Sequence, residues 1–350
     1  MESHSSYIKY LAFITLAFTL PAIVLSFYYE PLSGDLTRLG FLSENQYGWK
    51  KKQPEQKIFP NPTSTAPEIL VIGDSFSYGN VWQSHLKEKY GKDFLTVRWR
   101  DFKNQPTCYI SSLKRAYPSI KFILFQSVEM GALGHFIETA RLLKNKCRDS
   151  SHRPTLKQPK VQQTETQRTK NGLIKDPIFL YRTFWNDHKT LKEVNLTSKT
   201  YVLKLNKNNL FTHKKSNFGL FYRNAINDKK GWQRTDIDKA INAAKFIELH
   251  LKSENLKISF LVIPDKSSAY KDHIKTQNLV PESQLWDHIK REKIFLSLID
   301  EFKKLVNEEA DFYLSNDTHL STQGYKHLAE IIVEKSVLSQ AKFILILPIF

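Results

Sequence analysis

The chain has 350 residues, 41% of them hydrophobic and 13% aromatic, enough for one large α/β domain or two smaller ones. Its formal net charge of +17 is spread along the sequence, which favours an anionic partner without choosing among nucleic acid, acidic polysaccharide and a membrane surface. There is no zinc-finger spacing, basic zipper, RNP motif or Cys-x-x-Cys pair, which argues against nucleic-acid modules of those kinds and against a structural zinc site.

Taken in chain order, the first element is the apolar run YIKYLAFITLAFTLPAIVLSFYY, Tyr7 to Tyr29, whose one charge is Lys9. Its length matches the roughly 20 apolar residues that cross a bilayer. Pro21 is tolerated in membrane helices, and Tyr7, Tyr10, Tyr28 and Tyr29 stand near the ends as interfacial aromatics do. Residues 1–30 therefore read as an uncleaved signal anchor that puts residues 8–29 in a membrane. A cleaved signal peptide is the alternative, but no small-x-small site precedes Glu30. Residues 31–67, rich in Pro, Ser, Asn and Gln, read as a membrane-proximal connector with some fixed structure near Trp49.

Residues 68–340 read as one α/β domain. The expected order is a strand at 68–73, a helix over 79–90, strands in DFLTVRWRDF and SIKFILFQSVEMG, and a helix in GHFIETARLLKN. Alternation of this kind predicts a parallel sheet with helices on its faces. Residues 148–235 read as an insertion, a polar basic loop followed by mixed, strand-leaning segments such as KTYVLKL and FGLFYRN. The pattern resumes with a helix over 236–255, a strand ending at Pro264-Asp265-Lys266, one amphipathic helix over 285–309 and a short strand. A polar loop at 315–319 then leads to a last helix, with Ser321 or Thr322 as its N-cap. The apolar tail 341–350 is too short to span a membrane. Cys108 and Cys147 fit a disulfide in an exported protein, or two buried free thiols.

In such sheets ligands bind beyond the carboxyl ends of the strands. Three strand ends here carry reactive side chains: Ser75, Lys266, and Asp317 with His319. A serine nucleophile needs a base, and histidine suits neutral pH. The histidine in turn needs a carboxylate to fix its tautomer and stabilise the imidazolium. Two residues of separation let Asp317 reach Nδ1 of His319. The bland readings are a turn for Gly-Asp-Ser, a solvated loop or metal fragment for Asp-x-His, and a surface lysine for Lys266. The combination at strand ends, in this chain order, favours a Ser75–His319–Asp317 triad that uses no metal or cofactor.

ILVIGDSFS and NDTHLSTQGYKHLAE, with Gly324, resemble the first and last blocks of the SGNH/GDSL hydrolases. The Asp-x-His spacing and VIPDKSSAY resemble the SGNH-like domains of the alginate O-acetyltransferase family, periplasmic bacterial proteins that acetylate exopolysaccharides. FILFQSVEMG resembles that subgroup's third-strand segment, although Met130 follows Glu129 where arginine is usual, and the block order is that of SGNH enzymes at large. The resemblance implies an SGNH-hydrolase-like (flavodoxin-like) fold, with Ser75 as nucleophile, His319 as base and Asp317 as its orienting partner. It implies that Asp74 shapes the turn, and that Lys266, Tyr270 and Glu129 support the site or bind substrate. No Gly-x-Asn-Asp block is present, so Asn104, Gln126 or Arg100 would take over as oxyanion donor.

The expected function is O-acetylation of a polysaccharide, possibly acidic in view of the basic charge, with the acyl donor relayed by a membrane-bound acyltransferase. The expected location is the periplasmic face of a bacterial inner membrane, with no nucleic acid involved. The rivals are a carbohydrate esterase, a non-catalytic polysaccharide-binding or assembly protein on the same fold, and a charge-driven binder of nucleic acid or anionic lipid.

Overall fold

Five apolar runs form one parallel sheet: β1 (Ile69–Gly73), β2 (Phe94–Arg98), β3 (Phe122–Val128), β7 (Lys257–Ile263) and β8 (Phe295–Leu296), in the order β2-β1-β3-β7-β8. The computed structural model describes residues 2–30, 32–61, 66–102, 106–145, 177–252 and 255–335, so Asn104, Cys147, the loop over 148–176 and the tail 341–350 lie outside the described residues. Every residue of β1 is buried, because helices cover both faces of the sheet and leave no side for polar alternation. Leu70 is the register partner of Leu95 on one side and of Ile123 on the other. Phe125 and Phe260 are partners across β3 and β7, and their rings stack at 5.3 Å.

Helices Val81–Tyr90, Ile299–Glu308 and Thr322–Lys335 contribute to the core on one face. Helices Pro106–Ala116, Glu129–Leu143, Arg234–Lys252 and Leu285–Arg291 contribute to the core on the other. The chain leaves β1 outward to β2, then crosses back to β3 on the opposite side. The point where this order reverses, at the carboxyl ends of β1 and β3, is where such sheets open a crevice. Ser75 stands there.

The α/β class, the parallel sheet and the apolar N-terminal helix match the expectation from sequence. Two local readings change. The span 285–309 is not one helix: β8 interrupts it. Phe295 and Leu296 pair in parallel with Phe260 and Leu261 at the edge of the sheet. Residues 177–188, expected in a strand-leaning region, form helix Pro177–His188. The strands foreseen downstream are present as β4 (Val194–Thr197), β5 (Thr200–Lys204) and β6 (Phe218–Tyr222), an antiparallel sheet in that order.

This small sheet binds the connector to the domain. Val202, Phe218 and Leu220 pack against Leu36, Leu42 and Tyr47, which belong to or flank two short helices, Asp35–Gly40 and Glu44–Tyr47. Ahead of them the N-terminal helix runs Glu2–Tyr28, and its Ser6–Tyr28 portion is long and apolar enough to cross a membrane. Cys108 is buried and disulfide-bonded, so the free-thiol reading falls.

Candidate active site

The sheet ends at Gly73, and a side chain there has no room. A Cβ would lie 2.6 Å from Ser77 Cβ and 2.7 Å from Gln126 Oε1. The next residue, Asp74, caps the helical turn Ser75–Tyr78, and its Oδ1 accepts from the Phe76 N–H at 3.0 Å. The same Oδ1 accepts from Gln126 Nε2 at 2.9 Å, while Oδ2 accepts from the Val128 N–H at 2.6 Å. Asp74 thus ties the turn after β1 to the end of β3. Burial pushes its carboxyl up, against the pull of these donors. The result leaves Ser75 exposed at the first position of the turn, on the rim of the sheet.

On the facing loop, His319 Nε2 lies 2.8 Å from Ser75 Oγ, and His319 Nδ1 lies 2.7 Å from Asp317 Oδ1. This is the order of contacts that general-base activation of a serine requires. Burial works against an imidazolium at His319, but the Asp317 charge and hydrogen bond outweigh it and raise the His319 pKa above its ordinary value. Burial opposes the Asp317 carboxylate too. His319 and the N–H groups of Asp35 and His319 nonetheless hold it well below the usual carboxylate range. Phe76 lies against the imidazole with ring centroids 4.9 Å apart.

Lys266 is not a surface lysine. It is 4% exposed, and its Nζ donates to the carbonyls of Leu314, Ser315 and Asp317 at 2.7, 2.9 and 3.2 Å. It braces the loop that carries Asp317 and His319. Tyr270 is fully buried, stacks on Phe211 at 4.9 Å and accepts from the Tyr313 N–H, so of its two expected roles support fits and substrate contact does not. Glu129 is also fully buried. Its Oε1 accepts from Trp286 Nε1 at 3.1 Å, and its Oε2 from the Asp265 N–H at 3.0 Å and from Lys229 Nζ at 3.5 Å. Glu129 therefore fixes the turn before Lys266 and does not reach substrate. Lys229 completes that buried cluster with Asp265 Oδ2 at 3.1 Å and Ser268 Oγ at 2.7 Å.

Gln126 is fully buried, its amide nitrogen donating to Asp74 and its Oε1 accepting from Ser77 Oγ and the Asp74 N–H, so it sits beneath the turn and not at the open face of Ser75. The Ser75 N–H, at the start of its helical turn, has no acceptor among the described residues and is open to an incoming anionic oxygen. Arg100 is exposed and lines an open cleft of about 880 Å³ that also reaches Ser75, together with Arg98, Arg141, Glu138 and His135. On the other side of Ser75 is a smaller pocket of about 230 Å³, walled by Leu39, Phe76, Val128, Met130 and Ala225 and by the polar residues Asp35, Asp265 and Lys266. Ser75 thus stands between a wide basic cleft and a narrow, largely apolar pocket.

Sequence reading missed the connector's part in the site. The Asp35 N–H donates to Asp317 Oδ2 at 3.0 Å, and the Leu36 N–H donates to the Asn316 carbonyl at 2.9 Å. Buried Glu44 accepts from the Ser33 and Gly34 N–H groups, from Thr37 Oγ1 and, through its other oxygen, from Asn316 Nδ2. Gly34 is required for this approach, since a Cβ there would lie 2.1 Å from the Asn316 carbonyl oxygen. The available signals were a lone glutamate and a Gly-Asp pair in a linker-like stretch, neither of which indicates a partner nearly 300 residues away. Asp35, Asp317 and His319 each bring a ligand atom within 4.8 Å of the others, the spacing of a metal site. Both His319 nitrogens and both Asp317 oxygens in this group are already engaged in hydrogen bonds. No family model, curated protein or solved structure matches the chain.

Proposed function

We propose that this chain is an SGNH-like O-acyltransferase, anchored in a bacterial inner membrane with its catalytic domain in the periplasm. It would acetylate hydroxyls of a cell-surface or secreted polysaccharide. The observation that carries this reading is the hydrogen-bonded series Ser75–His319–Asp317 at the switch point of the sheet. A protein that merely bound glycan would have no need of an exposed serine held against an oriented imidazole. The β2-β1-β3-β7-β8 order is that of flavodoxin-like sheets and fits the family resemblance. The disulfide at Cys108 fits an oxidising compartment.

In this mechanism Ser75 Oγ attacks the carbonyl carbon of the acyl donor while His319 Nε2 takes the hydroxyl proton. Asp317 stabilises the imidazolium, and the Ser75 N–H donates to the developing oxyanion. The donor's leaving group departs with the proton from His319, leaving acetyl-Ser75. A sugar hydroxyl then gives its proton to His319 and attacks the ester carbonyl, which releases Ser75 and the acetylated glycan. The donor would be supplied by a membrane-bound acyltransferase. The 230 Å³ pocket suits a short acyl group, and the arginines of the open cleft suit an anionic acceptor. The exposure of Ser75 in that cleft favours one second reading, an esterase in which water replaces the sugar.

The test is acyl trapping. The full chain in detergent is mixed with an activated acetyl ester, and intact mass is compared with Ser75→Ala and His319→Ala. One added acetyl in the parent, absent from Ser75→Ala, is the expected result. Oligosaccharide acceptors then separate transfer from hydrolysis. A folded parent that takes up no acetyl refutes the enzyme reading.

A further inference from the structure

Helix Pro177–His188 packs along the carboxyl-terminal half of the apolar N-terminal helix. Leu180 is buried against Ala22 and Tyr29, with Leu25 and Tyr181 beside them, and the Tyr181 hydroxyl donates to the Phe18 carbonyl. At its other end, Asn186 Nδ2 donates to the carbonyls of Gly40 and Phe41 at 3.2 and 3.0 Å. The helix therefore runs from the level of Phe18 out to the connector. Phe18 lies ten residues inside Tyr28, about 15 Å along the helix axis.

The outer side of this short helix is unusually apolar. Two of its polar side chains are turned to the protein, Asn186 binding the connector and Thr183 buried, while the exposed Arg182 lays its guanidinium over the Phe41 ring at 4.9 Å. Its large apolar side chains face outward, with Trp185 74%, Ile178 65% and Phe184 41% exposed. On the N-terminal helix against which this one packs, Phe27, Val24 and Leu20 are likewise 81%, 66% and 54% exposed. A helix that directs tryptophan, isoleucine and phenylalanine outward, next to a membrane-length helix, is built for an apolar solvent.

We propose that helix Pro177–His188 is a second membrane contact. Its Ile178, Phe184 and Trp185 face would lie against the bilayer leaflet at the carboxyl-terminal end of the span, with Trp185 nearer than Ile178 to the interfacial zone that tryptophan favours. The partner is the lipid bilayer. The proposal rests on the anchor part of the functional reading and not on the chemistry at Ser75. Two attachments fix a posture that a single span leaves free to swivel. Because Asn186 holds Gly40 and Phe41, and helix Asp35–Gly40 reaches Asp317, that posture includes the catalytic loop.

The full chain is reconstituted in phosphatidylcholine vesicles carrying lipids brominated at shallow or deep acyl positions. The chain has six tryptophans, so the Trp185 signal is taken as the difference between wild type and Trp185→Phe. The expected result is that this signal loses about half its intensity to the shallow bromines and is shielded from aqueous iodide. A photoactivatable lipid should label residues 177–188 of the unmodified protein, a readout that needs no variant. If the protein floats with the vesicles but Trp185 is quenched by iodide alone and the helix is unlabelled, the proposal is overturned and the anchor stands. Shielding from iodide, bromolipid and lipid label together would overturn it in favour of a protein partner. If an alkaline wash releases the protein from the vesicles, the anchor falls with it.

Discussion

Replacing Lys266 with methionine tests how the catalytic loop is held. The ammonium is buried and pushed down to about 7, although Asp317 and Asp311 pull it up. From an ordinary 10.5, that fall corresponds to about 5 kcal/mol spent on holding the charge. Hydrogen bonds from a charged donor return about 1.5–3 kcal/mol each, so the three to Leu314, Ser315 and Asp317 return about 5–9 kcal/mol. The two sums nearly cancel, with a surplus of at most about 4 kcal/mol. Methionine fills the same space, so Lys266→Met should lower stability by no more than that surplus.

The effect on chemistry should be larger. With three carbonyls released, Asp317 and His319 lose their fixed position, and a displacement of about 1 Å costs roughly 100-fold in rate. Ester turnover should therefore show kcat falling about 100-fold with KM little changed, in a protein that still melts cooperatively. The linkage has a definite sign. The folded-state pKa of Lys266 lies below its unfolded value, so the wild type gains stability as pH rises from about 7 toward about 10.5. Lys266→Met lacks that gain, and the Tm difference between the two proteins should widen in favour of the wild type across this window. A variant with kcat within threefold of wild type and a Tm gap independent of pH would refute the bracing argument.

Two further predictions concern the triad and its turn. Asp317→Asn should lower kcat by about 10,000-fold, because the amide favours the wrong imidazole tautomer. Asp317 is what raises the His319 pKa, and the neutral ring is the base, so the rising limb of kcat/KM in wild type should lie above the ordinary 6.5 and move to lower pH in Asp317→Asn. Gly73→Ala brings a Cβ within 2.7 Å of Gln126 Oε1 and 2.6 Å of Ser77 Cβ. Overpacking of this kind should destabilise by about 1–3 kcal/mol, read as a lower Tm, with loss of turnover as Asp74 shifts against Gln126.

What was legible in the sequence lay where local pattern and chemistry coincide. β1 is an unbroken apolar run that ends in Gly-Asp-Ser, and the period of the flanking helices gave away a parallel sheet. Since the carboxyl ends of such strands share one edge, Ser75 and the Asp317–His319 loop could be expected to meet without any contact being known. Lys266 and Glu129 were visible only as residues of interest. Their burial was not, because a lysine after a strand looks the same whether its ammonium meets water or three carbonyls. β8 was hidden by its brevity, since two residues carry no period. Helix Pro177–His188 was hidden because its exposed side mixes Ile178, Phe184 and Trp185 with Arg182 and His188, which blurs the polar face that marks an ordinary surface helix.

The connector was the hardest part to read and has the largest consequence for the site. A Pro-, Ser- and Asn-rich stretch after an apolar run has the composition of a tether. Here Glu44 collects donors from Ser33, Gly34 and Thr37 and from Asn316, and so holds the connector against the residue that precedes Asp317. Asp35 then supplies the N–H that faces Asp317 Oδ2, while His319 occupies Oδ1. A carboxylate with both oxygens engaged cannot rotate away from the imidazole, which is the condition for keeping one tautomer of His319. The N–H that fixes the Asp317 carboxylate beside His319 is therefore delivered by the segment that leaves the N-terminal helix. The N-terminal helix, the connector and the Asp317–His319 loop form one continuous run of contacts, so under the proposed function the posture of the domain over a membrane and the alignment of His319 would be set by the same few residues.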